Sequence, residues 1–162
     1  MKILSLFCAA LSALFSTCGK EPSADDWQQV SKVVYRHSDP SVAPDYYRSY
    51  TLTVTANSIA LQVNNYSETL LSKSFPISKE SFHSFIEKLS QLGIKKVKEV
   101  ESISTGGSTQ SLSLYHGDDE FFNAYRTHDG GNLSLPHPLE LQSLIDELLP
   151  SLHDLVEQTR GE

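Results

Sequence analysis

The chain is nearly free of cysteine. Its only two, Cys8 and Cys18, lie close to the N-terminus, so neither a disulfide framework nor a cysteine-based zinc site can hold the remainder together. Positive charge is scarce as well: 13 Lys and Arg stand against 20 Asp and Glu, a formal net of −7. A phosphate backbone selects for basic patches, which excludes a dedicated nucleic-acid binder. Long apolar runs are missing too. The longest, Ile3 to Phe15, is broken only by Ser5 and Ser12, and as a helix it would cover about 20 Å, short of the roughly 30 Å of a bilayer core. With 8 Gly, 7 Pro and no repeat, collagen-like and low-complexity chains are excluded. What remains is 162 residues, 39% hydrophobic and 20% charged, enough for one packed domain and too little for two.

The first residues read as a targeting segment. Met1-Lys2 gives a positive start, the Ile3 to Phe15 run has the length of a signal-peptide core, and no A-x-A cleavage pattern follows it. Leu14-Phe15-Ser16-Thr17-Cys18-Gly19 comes instead. This stretch resembles the lipobox of bacterial lipoproteins, with Ser16 and Cys18 matching and Phe15 and Thr17 departing from the usual Leu and Gly or Ala. The resemblance implies a signal peptide over residues 1–17 and a mature chain that begins at Cys18. It further implies a diacylglyceryl thioether on the Cys18 sulfur and an acyl chain on its amine. One acyl chain holds a protein only marginally at a membrane, whereas two hold it stably. Loss of the leader removes a single charge, Lys2, and takes the formal −7 to about −8. Gly19 is not the Asp that some bacteria read as an inner-membrane retention mark, so the resemblance points to the outer membrane.

Gly19 to Asp26 carries no apolar side chain larger than that of Ala24 and includes Pro22, so residues 18–26 read as the lipidated Cys and a flexible tether. A single domain is expected over 27–158, with Trp27 either docking where the chain joins it, the favoured reading, or staying near the membrane interface, where Trp is enriched. Val30 to Tyr35 reads as a strand. Tyr50, Leu52 and Val54 alternate with polar residues, as do Ile59, Leu61 and Val63 beyond a turn at Asn57-Ser58, which predicts a hairpin. Leu70 to Phe75 predicts a fourth strand closed by Pro76. Ser78 is a good N-cap for a helix over 79–92, whose Phe82, Phe85, Ile86 and Leu89 share one stripe before Gly93. Residues 94–103 are ambiguous between helix and strand. Ser111 to Tyr115 and Phe121 to Thr127 predict a second hairpin across Gly117-Asp118-Asp119, and a loop at 129–132 precedes a short apolar run, Leu133 to Leu135. Leu141, Leu144, Ile145, Leu148, Leu152 and Val156 trace a last helix from Pro138 that Pro150 must kink or split. Two strand clusters, each followed by a helix, predict an α+β fold: a mostly antiparallel sheet with helices packed on one face.

Chemistry-bearing motifs are sparse. The six His show no metal-ligand spacing, and the densest group, His116 with Asp118, Asp119 and Glu120, fits a polar hairpin turn, so neither metal nor cofactor is expected. Thr105-Gly106-Gly107-Ser108 lacks the Lys of a phosphate-binding loop and leads into no helix. No G-x-S-x-G surrounds any Ser, and no catalytic residues are assigned. Tyr46, Tyr47 and Tyr50 follow a Pro-containing loop, where they form either a recognition surface or sheet-edge packing. Together with the Thr105 to Ser108 loop they make up the candidate interaction surface. The leader Cys, the tyrosine-rich entry to the sheet, the TGGS loop and the C-terminal LLP helix are also similar to small uncharacterised bacterial lipoproteins over residues 44–150, a resemblance that implies no activity. The expectation is a lipid-anchored envelope protein, periplasmic or surface-facing, that acts as a non-catalytic binding module toward an envelope protein. A lipid-anchored envelope hydrolase and a small inhibitor or immunity-like protein are the alternatives.

Overall fold

The structure, a computed structural model, describes residues 21–40, 42–43, 45–66, 68–94, 107–127 and 138–160. The strands are β1 (Lys32–Ser38), β2 (Ser49–Thr55), β3 (Ser58–Asn65), β4 (Glu68–Pro76), β5 (Thr109–His116) and β6 (Asp119–Thr127). The helices are α1 (Ala24–Gln28), α2 (Lys79–Ser90), α3 (Pro138–Leu148) and α4 (Leu152–Glu157), with α2 between β4 and β5. Among the described residues all six strands join one antiparallel sheet in the order β4-β3-β2-β1-β5-β6. The α+β expectation stands at that level. The sheet is continuous, because β5 pairs with the free side of β1 and not with β4. Val33, Val34 and Tyr35 of β1 are consecutively buried, as suits a strand with neighbours on both sides.

Alternation sets which residues enter the core. Tyr50, Leu52 and Val54 of β2 and Ile59, Leu61 and Val63 of β3 are buried, with half-buried or exposed residues between them. Leu112 and Leu114 of β5 face Tyr35 and Val33 across the β1–β5 ladder and are fully buried. These residues make one cluster with Phe82, Phe85, Ile86 and Leu89 of α2 and with Leu141, Ile145, Leu152, Leu155 and Val156 of the last two helices. Ser78 caps α2 by accepting the Ser81 N–H at 3.1 Å. The chain leaves α2 through Gly93 at φ +61°, the left-handed conformation only glycine adopts without strain. Pro150 divides the C-terminal stripe into α3 and α4, since it has no N–H to continue the ladder.

Boundaries differ from expectation at the start of the domain. The first strand runs Lys32–Ser38 and not 30–35, because its extent is set by seven pairings with β2 and seven with β5. Residues 24–26, expected in the tether, belong to helix α1. Ser23 Oγ accepts the Asp26 N–H at 3.1 Å and Asp26 Oδ2 accepts the Ser23 N–H at 2.8 Å, a reciprocal capping box. Its S-x-x-D spacing was legible in the sequence. The ambiguous stretch from Lys95 to Ile103, the 129–132 loop and Leu133 to Leu135 lie outside the described residues. Among the described residues no helix is long and apolar enough to cross a membrane.

Candidate functional site

Two concavities frame the functional question. The first opens at the end of the sheet where β1 stops and β2 begins, a cleft of about 430 Å³ between those strands and α3–α4. Its floor is a tie around Arg48, which is only 3% exposed. The Arg48 guanidinium donates to the Thr159 Oγ1 at 2.9 Å, to the Tyr47 carbonyl at 2.6 Å and to the Thr159 carbonyl. Asp39 Oδ2 accepts the Arg48 backbone N–H at 3.2 Å and pairs with Arg160 at 3.0 Å. Arg160 in turn binds Glu157 Oε1 and the Tyr46 carbonyl, each at 2.8 Å. These bonds fasten the end of α4 to the 45–48 segment, which is what forks of guanidinium donors do best.

Beside the tie, His37 and Tyr50 face each other across β1 and β2. Burial pushes the His37 imidazole below its ordinary range, against the pull of Asp39, whose carboxylate lies 3.6 Å from Nε2. Nδ1 of this ring is buried with no hydrogen-bond partner. Burial also drives the Tyr50 phenol up to about 12, and raises Tyr35 further, with Tyr50 as its second cause. The Tyr35 hydroxyl donates to Gln142 Oε1 at 3.5 Å, and Gln142 Nε2 donates to Asp146 at 2.8 Å. The His37 and Tyr50 rings thus form an uncharged stretch of the cleft lining at neutral pH, beside the Asp39–Arg160 pair.

The three tyrosines expected to cluster are divided by the structure. Tyr50 turns into the core, 8% exposed, whereas Tyr46 is 65% exposed. Tyr47 stacks on Tyr66 with centroids 4.0 Å and planes 12° apart. Tyr66, at φ +34°, reaches back to donate its hydroxyl to the Val42 carbonyl at 2.7 Å. It is the member of the surface patch that spacing alone missed, since it lies beyond a full hairpin. Gly107 and Ser108, both half-buried, enter β5 at the same sheet end, where Thr109 pairs with Ser38. Thr105, Gly106 and Cys18 lie outside the described residues.

The second concavity is larger and apolar. It lies between α1 and α2, measures about 620 Å³, and is walled by Pro22, Ala24, Trp27, Val30, Ile86 and Ile94. Glu21, Gln28, His83, Glu87, Ser90 and Gly93 complete its lining. The α1 wall is held in place: His116 Nε2 lies 3.1 Å from the Asp26 carbonyl, and the His116 ring stacks on Phe121 at 3.9 Å. Trp27 is partly buried and packed against the core, as expected of the residue where the chain docks.

Among the described residues no three His, Asp or Glu side chains converge as a metal site. The chain matches no family model, no curated protein and no solved structure.

Proposed function

We propose that the chain is a lipid-anchored protein of the bacterial cell envelope, moored through Cys18, whose domain works as a non-catalytic binding module. The observation that carries this reading is the placement of Cys18. It follows the Ile3 to Phe15 run in a lipobox-like setting, and no other cysteine stands outside that run. The folded part supports a binding role in two ways. The charged groups of the polar cleft are engaged within the protein, Arg48 with the Thr159 hydroxyl and the Tyr47 carbonyl, Asp39 with Arg160, so they serve cohesion ahead of substrate chemistry. The apolar groove, by contrast, offers Trp27 and Ile86 to a ligand, the mix of aromatic and aliphatic lining that recognition sites use.

In this reading the helices cover one face of the sheet. Val33, Tyr35, Leu52 and Leu112 share the core with α2, α3 and α4. Thr51, Thr53 and Ser111, set between them in the alternation, belong to the other, more polar face. The domain then stands off the membrane on a short tether that ends at the Ser23 cap, with an envelope protein as its partner and the outer membrane as its destination.

The test is intact-mass analysis of membrane-extracted wild type beside a Cys18→Ala variant. A lipid-sized mass increment on the wild type alone supports the anchor, and a pull-down from envelope extract then seeks the partner. An unmodified wild type, or a mature chain beginning elsewhere, overturns the reading.

A further inference from the structure

We infer that the apolar groove between α1 and α2 receives one of the acyl chains carried by Cys18. This assignment rests on the lipid-anchor reading above and extends it by naming the occupant of the groove.

Three observations converge on it. The first is reach. Cys18 stands three residues before Glu21, which lies in the groove lining, and three residues of chain extend no more than about 11 Å. The root of the lipid is therefore held within a short radius of the groove, and a tether that short gives its chain an effective local concentration in the millimolar range. A contact too weak to capture free lipid from solution is then sufficient to hold this one.

The second is chemistry. Pro22, Ala24, Trp27, Val30, Ile86 and Ile94 offer carbon surface, and an alkyl chain asks for nothing more directional than apolar area removed from water. The third is size. A dry apolar cavity of about 150 Å³ accommodates a benzene-sized ligand, so a groove of about 620 Å³ has room for about one long alkyl chain and not for the three of a fully acylated cysteine. One chain in the groove leaves two for the bilayer, the number that makes anchoring stable. The docked chain fixes the orientation of the domain over the membrane.

Trp27 is the chain's one tryptophan and lines the groove, so its fluorescence reports occupancy directly. The full-length protein is produced in bacteria fed 9,10-dibromostearate, so that its own acyl chains carry the quencher. It is then reconstituted into vesicles of unbrominated phosphatidylcholine. A fall in Trp27 emission of about twofold or more, relative to protein with ordinary acyl chains, supports the assignment. Ser90→Phe and, from the opposite wall, Ala24→Phe fill the groove and should restore most of the emission, with circular dichroism confirming that each variant folds. Unquenched Trp27 in a protein whose intact mass carries the brominated chains overturns the groove assignment and leaves the anchor standing. An intact mass without lipid overturns the anchor itself, and the assignment with it. In a reciprocal arm, ordinary protein is placed in vesicles of brominated phosphatidylcholine; quenching confined to that arm assigns the groove to bilayer lipid and overturns docking of the protein's own chain.

Discussion

The imidazole of His37 lies on the phenol ring of Tyr50 across the β1–β2 ladder, centroids 5.1 Å and planes 21° apart. Both rings sit at the border of the core and the polar cleft, and both titrate away from their ordinary ranges because burial disfavours charge.

For His37 the consequence is acid sensitivity. Its folded-state pKa lies below the ordinary value of about 6.5, so between the two the unfolded chain binds the proton more readily. The stability that the neutral ring contributes is complete above about pH 6.5 and is lost as pH falls through the folded-state value. His37→Phe keeps a flat ring for Tyr50 and removes the titration. Urea midpoints measured from pH 7 down to pH 5 should fall less steeply for this variant than for the wild type. Asp39, Arg160, Asp146 and His153 share the cleft and remain in both proteins, so equal slopes would show that they, and not His37, govern the acid response.

Tyr35 and Tyr50 predict the opposite behaviour at high pH. Their folded-state values are raised above the ordinary value of about 10, so their contribution is complete below that value and disappears as pH rises through the folded-state values. Phenolate absorbance at about pH 11 should fall short of the full complement of 7 tyrosines. The remainder should then appear together with alkaline unfolding. In Tyr50→Phe the withheld fraction should shrink by one ring.

Arg48 is the tie between the 45–48 segment and the C-terminal end. Arg48→Met leaves the Thr159 and Tyr47 carbonyls without their donor, and hydrogen bonds to charged groups are worth about 1.5–3 kcal/mol each. The urea midpoint should drop by a corresponding amount with the slope unchanged, and hydrogen exchange should accelerate first in α4 and at Thr159. Arg48→Lys should recover little, since a single ammonium cannot replicate a fork that reaches both partners. Protection of α4 equal to wild type in Arg48→Met would show that the helix is held by its apolar side alone.

Leu89 lies at the bottom of the α2 stripe, fully buried in the core cluster. Leu89→Ala should cost about 2–5 kcal/mol, the range for truncating a buried leucine. The spread depends on how far the sheet and α3 close over the gap. Chemical denaturation of the purified variant measures it.

The elements that alternation and helical spacing write plainly were legible in the chain. The β2–β3 hairpin, the Ser78-capped helix with Gly93 beyond its end, the β5–β6 hairpin and the break at Pro150 all occur close to where the residues indicate. Local rules suffice there because each depends on neighbours within a turn of helix or a pair of strands. Helix α1 went unread although its Ser23 and Asp26 form a capping box, because charge and Pro22 gave residues 18–26 the look of solvated chain. Of the polar cleft only Tyr50 stood out in the chain. Asp39 and Arg48 lie far along the chain from Gln142 and Arg160, and nothing in their local context sets them apart from surface residues.

The amino-acid order by itself determined the periodicities, the caps and breaks, the absence of a disulfide framework and the lone cysteine beyond the Ile3 to Phe15 run, since these are properties of composition and near neighbours. Tertiary structure alone decided that β5 joins β1 and not β4, that Tyr50 leaves Tyr46 and Tyr47 for the core, and that α1 and α2 leave a groove between them. Those outcomes depend on which apolar faces meet once the chain closes on itself, and that is settled by burial of area between distant segments, which no local pattern encodes.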